Sequence, residues 1–253
     1  MFIEERLNKV LGLVQNKGRV TVTEASEYLE VSADTVRRDF SRLAEMSLVL
    51  RTHGGIMSKE SVSFDPGMTE KVVQHEAEKE AIARKAAGLI TDSEIVIIDA
   101  GTTTERVVKY LPDNKNITVL TDALNVAVES TRRKINTIIL GGIIRNSTLC
   151  VTGPDAVEMA KHYHADKLIM GVSALSTAKG LMGPNRMEAE IKKQLIKAAN
   201  QVIVVADHSK LQKTALYSFG TLDDFEILIT DKAADPAVLK ELQEHDIEIL
   251  LVD

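Results

Sequence analysis

The sequence predicts an α/β protein in two parts, an N-terminal winged helix-turn-helix and a larger C-terminal α/β domain on a mostly parallel sheet. Three observations predict it. Apolar residues recur at helical spacing within residues 1–57, where a short β-prone hairpin pattern closes the segment. Residues 58–69 are rich in Ser, Gly and Pro and show no period, so they read as a linker. From residue 70 to 253, short apolar runs alternate with amphipathic stretches, the pattern of a parallel sheet covered on both faces.

Each element follows in order. Leu7, Val10, Leu11 and Val14 recur as one helical face, which stops near Asn16-Lys17-Gly18. Arg19 to Val22 is β-prone. Thr23 is expected to cap a second helix with Ala25, Tyr28 and Leu29 facing inward. Ser32 is the expected N-cap of a third helix, from about Ala33 to Glu45, on which Val36, Phe40 and Leu43 form the inner face. Two β-prone stretches, Leu48 to Arg51 and Ile56-Met57, flank Thr52-His53-Gly54-Gly55 as a hairpin. In the larger part a helix from Glu76 to Leu89 leads to a strand at Ile95–Ile98 and a helix near Thr104–Tyr110. Further strands are expected around residues 117–120, 135–140, 168–170, 202–205, 227–229 and 247–252. Helices begin at Ala123, Pro154, Arg186 and Pro236.

Composition narrows the function classes. The chain has 253 residues, 44% of them hydrophobic, enough for a real core and too many for wholesale disorder. Cys150 is the single cysteine, so the chain holds no internal disulfide and no cysteine pair for zinc, which points to a reducing compartment. Charges interrupt the start at Glu4, Glu5 and Arg6, unlike a secretory signal, and no apolar run is long enough to cross a bilayer. A soluble cytoplasmic protein is expected. Residues 1–57 carry eight Lys/Arg and eight Asp/Glu, so the whole net charge of −6 lies after residue 57. Any contact with nucleic acid must therefore rest on the local placement of Arg and Lys.

The third helix offers such placement. Its start is capped, and Ser32, Thr35, Arg37, Arg38 and Arg42 lie off the apolar face. The N-terminal half of a recognition helix enters the major groove, where short hydroxyls and arginines meet phosphates and base edges. Asp39 is better suited to orient an arginine than to meet phosphate. The expected wing presents Arg51 and His53. Read as a bare charge run, Arg37-Arg38 is more simply a solvated face; the surrounding helix-turn-helix-wing order is what favours duplex DNA.

A second constellation is Asp99-Ala100-Gly101-Thr102-Thr103-Thr104, between an apolar strand and a helix. A glycine and hydroxyls at a helix start can hold an anion, or the threonines can cap their own helix. Asp122, Gly141-Gly142 and Asp207-His208-Ser209-Lys210 also follow strands, where ligands of such sheets bind. Lys210 would supply positive charge; Asp122, Asp207 and Glu188 are open to a second reading as N-caps. His162, His164 and His245 show no metal-ligand spacing, so no metal is expected.

With these residues in place, the sequence resembles the DeoR family of bacterial transcriptional regulators over nearly its whole length. Val31-Ser32-Ala33-Asp34-Thr35-Val36-Arg37-Arg38-Asp39 with Leu43, and then Arg51-Thr52-His53-Gly54-Gly55, are similar to the family's recognition helix and wing, with Phe40 where Leu is usual. Asp99-Ala100-Gly101-Thr102-Thr103, Gly141-Gly142, Gly153, Asp166-Lys167, Gly171, Glu188, Asp207-His208-Ser209-Lys210 and Thr230-Asp231 continue the resemblance. The chain departs from it at Asp122, where Asn is usual, at Ala174, where Gly is common, and at Glu105-Arg106. The resemblance implies a repressor of a carbohydrate catabolic operon whose C-terminal domain is similar to pentose-phosphate isomerases. It implies a phosphorylated sugar as effector, with Gly101, Thr102 and Thr103 on the phosphate and Asp99, Glu188 and Lys210 lining the pocket. Asp122 and Gly142 are placed at the same edge. Double-stranded operator DNA and a homo-oligomer, dimer or tetramer, are the expected partners, with no cofactor and no catalytic residue. The alternative is a sugar-phosphate isomerase in which Asp99, Asp122, Asp207 and Glu188 shuttle protons and Lys210 holds charge. Such an enzyme has no use for residues 1–57.

Overall fold

The structure, a computed structural model, describes residues 3–17, 19–46, 48–52, 54–58, 68–113 and 116–253. The chain divides into two compact units, Met1–Asp65 and Pro66–Asp253. Most of the linker expected at 58–69, and His53 of the wing, lie outside the described residues.

In the smaller unit, helix α1 (Ile3–Lys17) leads into strand β1 (Arg19–Thr21), then α2 (Val22–Leu29) and α3 (Ala33–Glu45), then β2 (Val49–Thr52) and β3 (Gly55–Ser58). The hairpin forms as expected, and β1 joins it to give an antiparallel sheet in the order β1-β3-β2. The close pairing of β1 with β3 explains Gly55: a Cβ there would lie 2.3 Å from the Val20 carbonyl oxygen. Val10, Val14, Val20, Ala25, Leu29, Val36, Phe40, Leu43, Val49 and Ile56 make one buried cluster. Two expectations need correction. The N-cap of α2 is Thr21, not Thr23, because Thr21 and Glu24 exchange hydrogen bonds as a capping box. Tyr28 is 57% exposed, since the inward stripe of this short helix runs through Ala25 and Leu29.

The larger unit begins with α4 (Met68–Val73), α5 (Glu76–Gly88), β4 (Ile95–Ile98), α6 (Thr104–Tyr110), β5 (Thr118–Thr121), α7 (Leu124–Arg132) and β6 (Asn136–Ile139). A hairpin of β7 (Ile143–Arg145) and β8 (Cys150–Thr152) precedes α8 (Pro154–Ala160) and β9 (Ala165–Gly171). Then come β10 (Ala174–Ser176), β11 (Gly180–Gly183), α9 (Arg186–Lys197), β12 (Ala199–Val205) and β13 (Tyr217–Gly220). The chain closes with β14 (Ile227–Asp231), α10 (Pro236–Gln243) and β15 (Glu248–Val252).

Seven strands form one sheet in the order β15-β14-β12-β9-β4-β5-β6, every neighbouring pair parallel. Alternate residues of each strand feed opposite cores. Ile97, Leu168 and Met170 pack with α8, α9 and α10, while Val96, Ile98 and Ile169 pack with α5, α6 and α7. The strands that follow β4 in the chain run outward on one side and those that follow β9 on the other. The sheet therefore changes direction between β4 and β9, which is where the ligand crevice of such a sheet lies, outside the carboxyl ends of the strands. Two small antiparallel pieces, β7-β8 and β10-β11-β13, were not foreseen from the sequence.

Candidate nucleic-acid interface and ligand crevice

The helix expected to read DNA is built as its sequence requires. Ser32 caps α3, its Oγ accepting the Thr35 N–H at 3.3 Å and lying 3.0 Å from Thr35 Oγ1. Val36, Phe40 and Leu43 are fully buried, which turns Arg37, Arg38, Ser41 and Arg42 to the exposed side. Arg37 Nη1 donates to Asp34 Oδ1 at 2.6 Å on the surface, a local pair worth little. Asp39 orients an arginine, and that arginine is Arg6 of α1: Arg6 Nη2 donates to Asp39 Oδ1 at 3.0 Å, and the carboxylate holds the Arg6 guanidinium pKa above its usual value. This buried carboxylate fixes α3 to α1 and leaves the basic face to solvent. In β2, Arg51 is exposed, its guanidinium carbon 5.9 Å from the Phe40 ring centroid.

In the larger unit the crevice between β4 and β9 gathers three of the sequence-selected carboxylates. Asp99, at the end of β4, is fully buried. Its Oδ2 accepts the Gly171 N–H at the end of β9 at 3.0 Å and the Lys192 ammonium of α9. Lys192 Nζ also donates to the Gly171 carbonyl at 3.0 Å. Asp122, after β5, is likewise buried; Oδ1 accepts the Ala100 N–H at 3.1 Å and Oδ2 the Cys150 thiol at 3.1 Å. Asp122 is therefore not an N-cap, and α7 starts from Ala123 without a side-chain cap. Glu188 Oε1 accepts Thr148 Oγ1 at 2.6 Å and pairs with Arg145 Nε at 2.8 Å, while Asn185 caps α9 in its place.

Burial and mutual repulsion set the proton balance of this cluster. Burial and then the neighbouring Asp99 charge push the Asp122 carboxyl up to about 7, against the pull of Lys192. Burial also raises Asp99, opposed chiefly by Lys192. Burial works against the Lys192 charge, but Asp99 and Asp122 outweigh it and hold the ammonium protonated. The Cys150 thiol is pushed upward by burial and by Asp122, so it is a hydrogen-bond donor here and not a nucleophile.

Gly101, Thr102 and Thr103 bridge β4 to α6, with both threonines buried. Thr103 occupies the N-cap of α6 but makes no side-chain capping bond; Thr104 Oγ1 donates to the Gly101 carbonyl at 3.0 Å instead. Arg106, one of the residues at which the chain departs from its resemblance, is buried and donates to the Thr102 and Val72 carbonyls, joining α6 to α4.

Other sequence-selected residues are not drawn into the carboxylate cluster. Gly142 takes φ +151°, and a Cβ there would sit 2.7 Å from the Thr152 carbonyl, so this glycine serves the approach of two backbones. Asp207 caps the short 3-10 turn His208–Lys210, accepting the Ser209 N–H at 3.0 Å. Lys210 lies on that turn, its charge close enough to help depress the ammonium pKa of buried Lys79. The sequence reading missed Lys192, Arg145, Thr148 and the Cys150 hydrogen bond. Lys192 follows Glu188 by four residues on α9 and so shares its face, a signal the sequence did carry.

Two family descriptions match the chain: the DeoR-like helix-turn-helix domain over residues 6–62 and the DeoR C terminal sensor domain over residues 74–232. Among curated relatives, the HTH-type transcriptional repressor GlcR of Bacillus subtilis is 33% identical, covering 100% of this chain and 98% of that protein. The glycerol-3-phosphate regulon repressor of Escherichia coli is 32% identical and covers 98% of each. The HTH-type transcriptional regulator GolR of Listeria innocua is 30% identical over the full length of both. Among solved structures, ribose 5-phosphate isomerase A from Methanocaldococcus jannaschii overlaps with 55% of this chain and 56% of its own, at 17% identity and a TM-score of 0.42.

Proposed function

Since this chain belongs to the DeoR family of DNA-binding transcriptional regulators, and is a regulator and not an enzyme, we propose that it represses a carbohydrate catabolic operon and releases its operator when a phosphorylated sugar binds. The observation that carries the DNA half is α3: an apolar face wholly buried, a capped start, and Arg38 and Arg42 exposed one turn apart. The names of the GlcR and glycerol-3-phosphate repressors support the carbohydrate half.

In this reading the phosphate sits on Gly101, Thr102 and Thr103 at the opening of α6, where amides without helical partners face the ligand. Glu188, at the edge of the cluster, accepts a sugar hydroxyl, while buried Asp99 and Asp122 shape the floor beneath it and Lys192 keeps the charge of the cluster in check. Lys210 supplies positive charge from the neighbouring strand end. A symmetric homo-oligomer presents two copies of α3 to half-sites roughly 34 Å apart or a multiple of that. The protein works in the cytoplasm, where such effectors arise; among the described residues no helix is long and apolar enough to cross a membrane.

Electrophoretic mobility shift on DNA from the protein's own upstream region, at fixed salt, tests the proposal. Arg38→Ala is expected to weaken operator binding by about 1–3 kcal/mol if it reads a base pair. Equal affinity of the wild-type protein for operator and random DNA at every salt concentration would overturn it.

A further inference from the structure

At the carboxyl ends of β12 and β14, outside the carboxylate cluster, His75 and Glu78 from the start of α5 meet His208 from the turn after β12. One donor atom from each residue falls within 4.8 Å of the other two. We propose that these three side chains bind a divalent transition-metal ion of the zinc class, with Asp231 fixing the orientation of His208.

The hydrogen bonds around His208 carry the argument. Its Nδ1 lies 2.7 Å from Asp231 Oδ2, and Asp231 Oδ1 accepts the His208 backbone N–H at 2.8 Å. Oδ2 also accepts the Ala233 N–H at 3.1 Å, so the carboxylate is itself held in place. A carboxylate only accepts, so Nδ1 carries the proton and Nε2 keeps its lone pair. This carboxylate–histidine arrangement is the usual outer support of a metal-binding imidazole.

His75 is placed with comparable care. It occupies the N-cap of α5 in the left-handed region, φ 51° and ψ 47°, a conformation uncommon outside glycine, and it makes no capping hydrogen bond there. Its ring stands perpendicular to that of His208, with interplanar angle 82° and centroids 4.8 Å apart, so the rings meet edge to face and do not stack. His75 Nδ1 is 3.9 Å from Glu78 Oε1. All three residues are about a third exposed, which gives an ion and a water a way in.

Two imidazoles and a carboxylate make a nitrogen–oxygen donor set suited to zinc, and three protein ligands leave a position for water or an anion. Donors about 2.0–2.1 Å from zinc stand roughly 3.4 Å apart, so these atoms would close in by about an ångström through side-chain rotation. Glu78 and Asp231 bring two negative charges to offset the ion. Bound there, the ion would tie the start of α5 to the ends of β12 and β14.

The test uses the full-length protein, stripped with chelator and titrated with zinc by calorimetry and with cobalt by visible absorption. One ion per chain at micromolar affinity or tighter, with cobalt bands of a nitrogen- and oxygen-ligated site, is expected. His75→Ala, at a position about a third exposed, should weaken binding at least tenfold while the far-ultraviolet circular dichroism stays unchanged. Asp231→Asn should weaken it about 10–100-fold through the orientation of His208. A His162→Ala, His164→Ala double variant, altered at exposed histidines elsewhere, should bind as the wild type does. Absence of saturable one-to-one binding, or undiminished binding by His75→Ala, would overturn the proposal.

Discussion

Asp122 accepts the Ala100 amide and the Cys150 thiol with no access to water, and its closest ionic company includes a second buried carboxylate. Its pKa is raised from 3.8 to about 7, first by burial and then by Asp99. The sign of the consequence follows from linkage. A raised pKa means that the folded protein keeps a proton which the unfolded chain has already released. The stabilisation is complete below about pH 4 and is lost as pH rises through about 7. At 1.36 kcal/mol per unit the full effect is of order 4 kcal/mol. Asp122→Asn keeps an oxygen for the Ala100 N–H and removes the titration; asparagine is also the residue usual at this position in the resemblance noted above. Urea denaturation at pH 5 and pH 8 should show the variant gaining about 2.7 kcal/mol relative to the wild type at the higher pH, the part of the effect that falls between pH 5 and a pKa of about 7. An identical pH dependence in the two proteins would mean that Asp122 stays ionised throughout and that the compensation by Lys192 is stronger than the geometry implies.

For single elements, helix α2 shows how a local pattern outranks a plausible residue. Thr21 Oγ1 accepts the Glu24 N–H at 3.2 Å, and Glu24 Oε2 accepts the Thr21 N–H at 2.8 Å, so two otherwise orphaned amides are satisfied reciprocally. Thr21→Ala should cost about 1 kcal/mol of stability, within a range of about 0.5–2, whereas Thr23→Ala should cost much less; chemical denaturation of the two variants separates them. The Thr-x-x-Glu spacing stands in the sequence, but Val22, β-branched and next to Arg19-Val20-Thr21, carries the β-prone pattern across the start of the helix and masks the cap. Helix α3 and the seven parallel strands were legible because each carries a run of apolar residues at one period. The strands of β7-β8 and β10-β11-β13 are no shorter than some of the legible ones, but Arg, Ser, Thr and Gly break their apolar residues, so no run stands out. In the cluster between β4 and β9, the carboxylates could be placed because each follows a strand or opens a helix. Lys192 could not, because a lysine inside a helix is ordinarily solvated and only the fold buries this one against Asp99. His75 and His208 lie far apart in the chain and meet only through the topology.

For the molecule as a whole, the proposed repression makes DNA affinity and effector affinity two readings of one coupling. The net charge of −6 lies entirely after residue 57, so the smaller unit has no global attraction for DNA, and in the proposed reading its grip rests on the local placement of Arg37, Arg38, Arg42 and Arg51. An effector in the larger unit changes operator affinity only if it binds the operator-competent and operator-released arrangements unequally. Linkage then makes the effect reciprocal. A sugar phosphate that weakens operator binding tenfold, about 1.4 kcal/mol, must itself bind tenfold more weakly when operator is present. Screening sugar phosphates by thermal denaturation finds the effector first, since a ligand at a hundred times its Kd adds about 2.7 kcal/mol. Inorganic phosphate should shift the transition less, because it offers no sugar hydroxyl to Glu188. Calorimetric titration of the selected sugar phosphate with and without saturating operator then measures the coupling from the other side. Equal factors from the two titrations are the expected result. An effector affinity indifferent to DNA, alongside an operator affinity that does respond to the sugar phosphate, would place the response outside a shared equilibrium and so outside the crevice between β4 and β9.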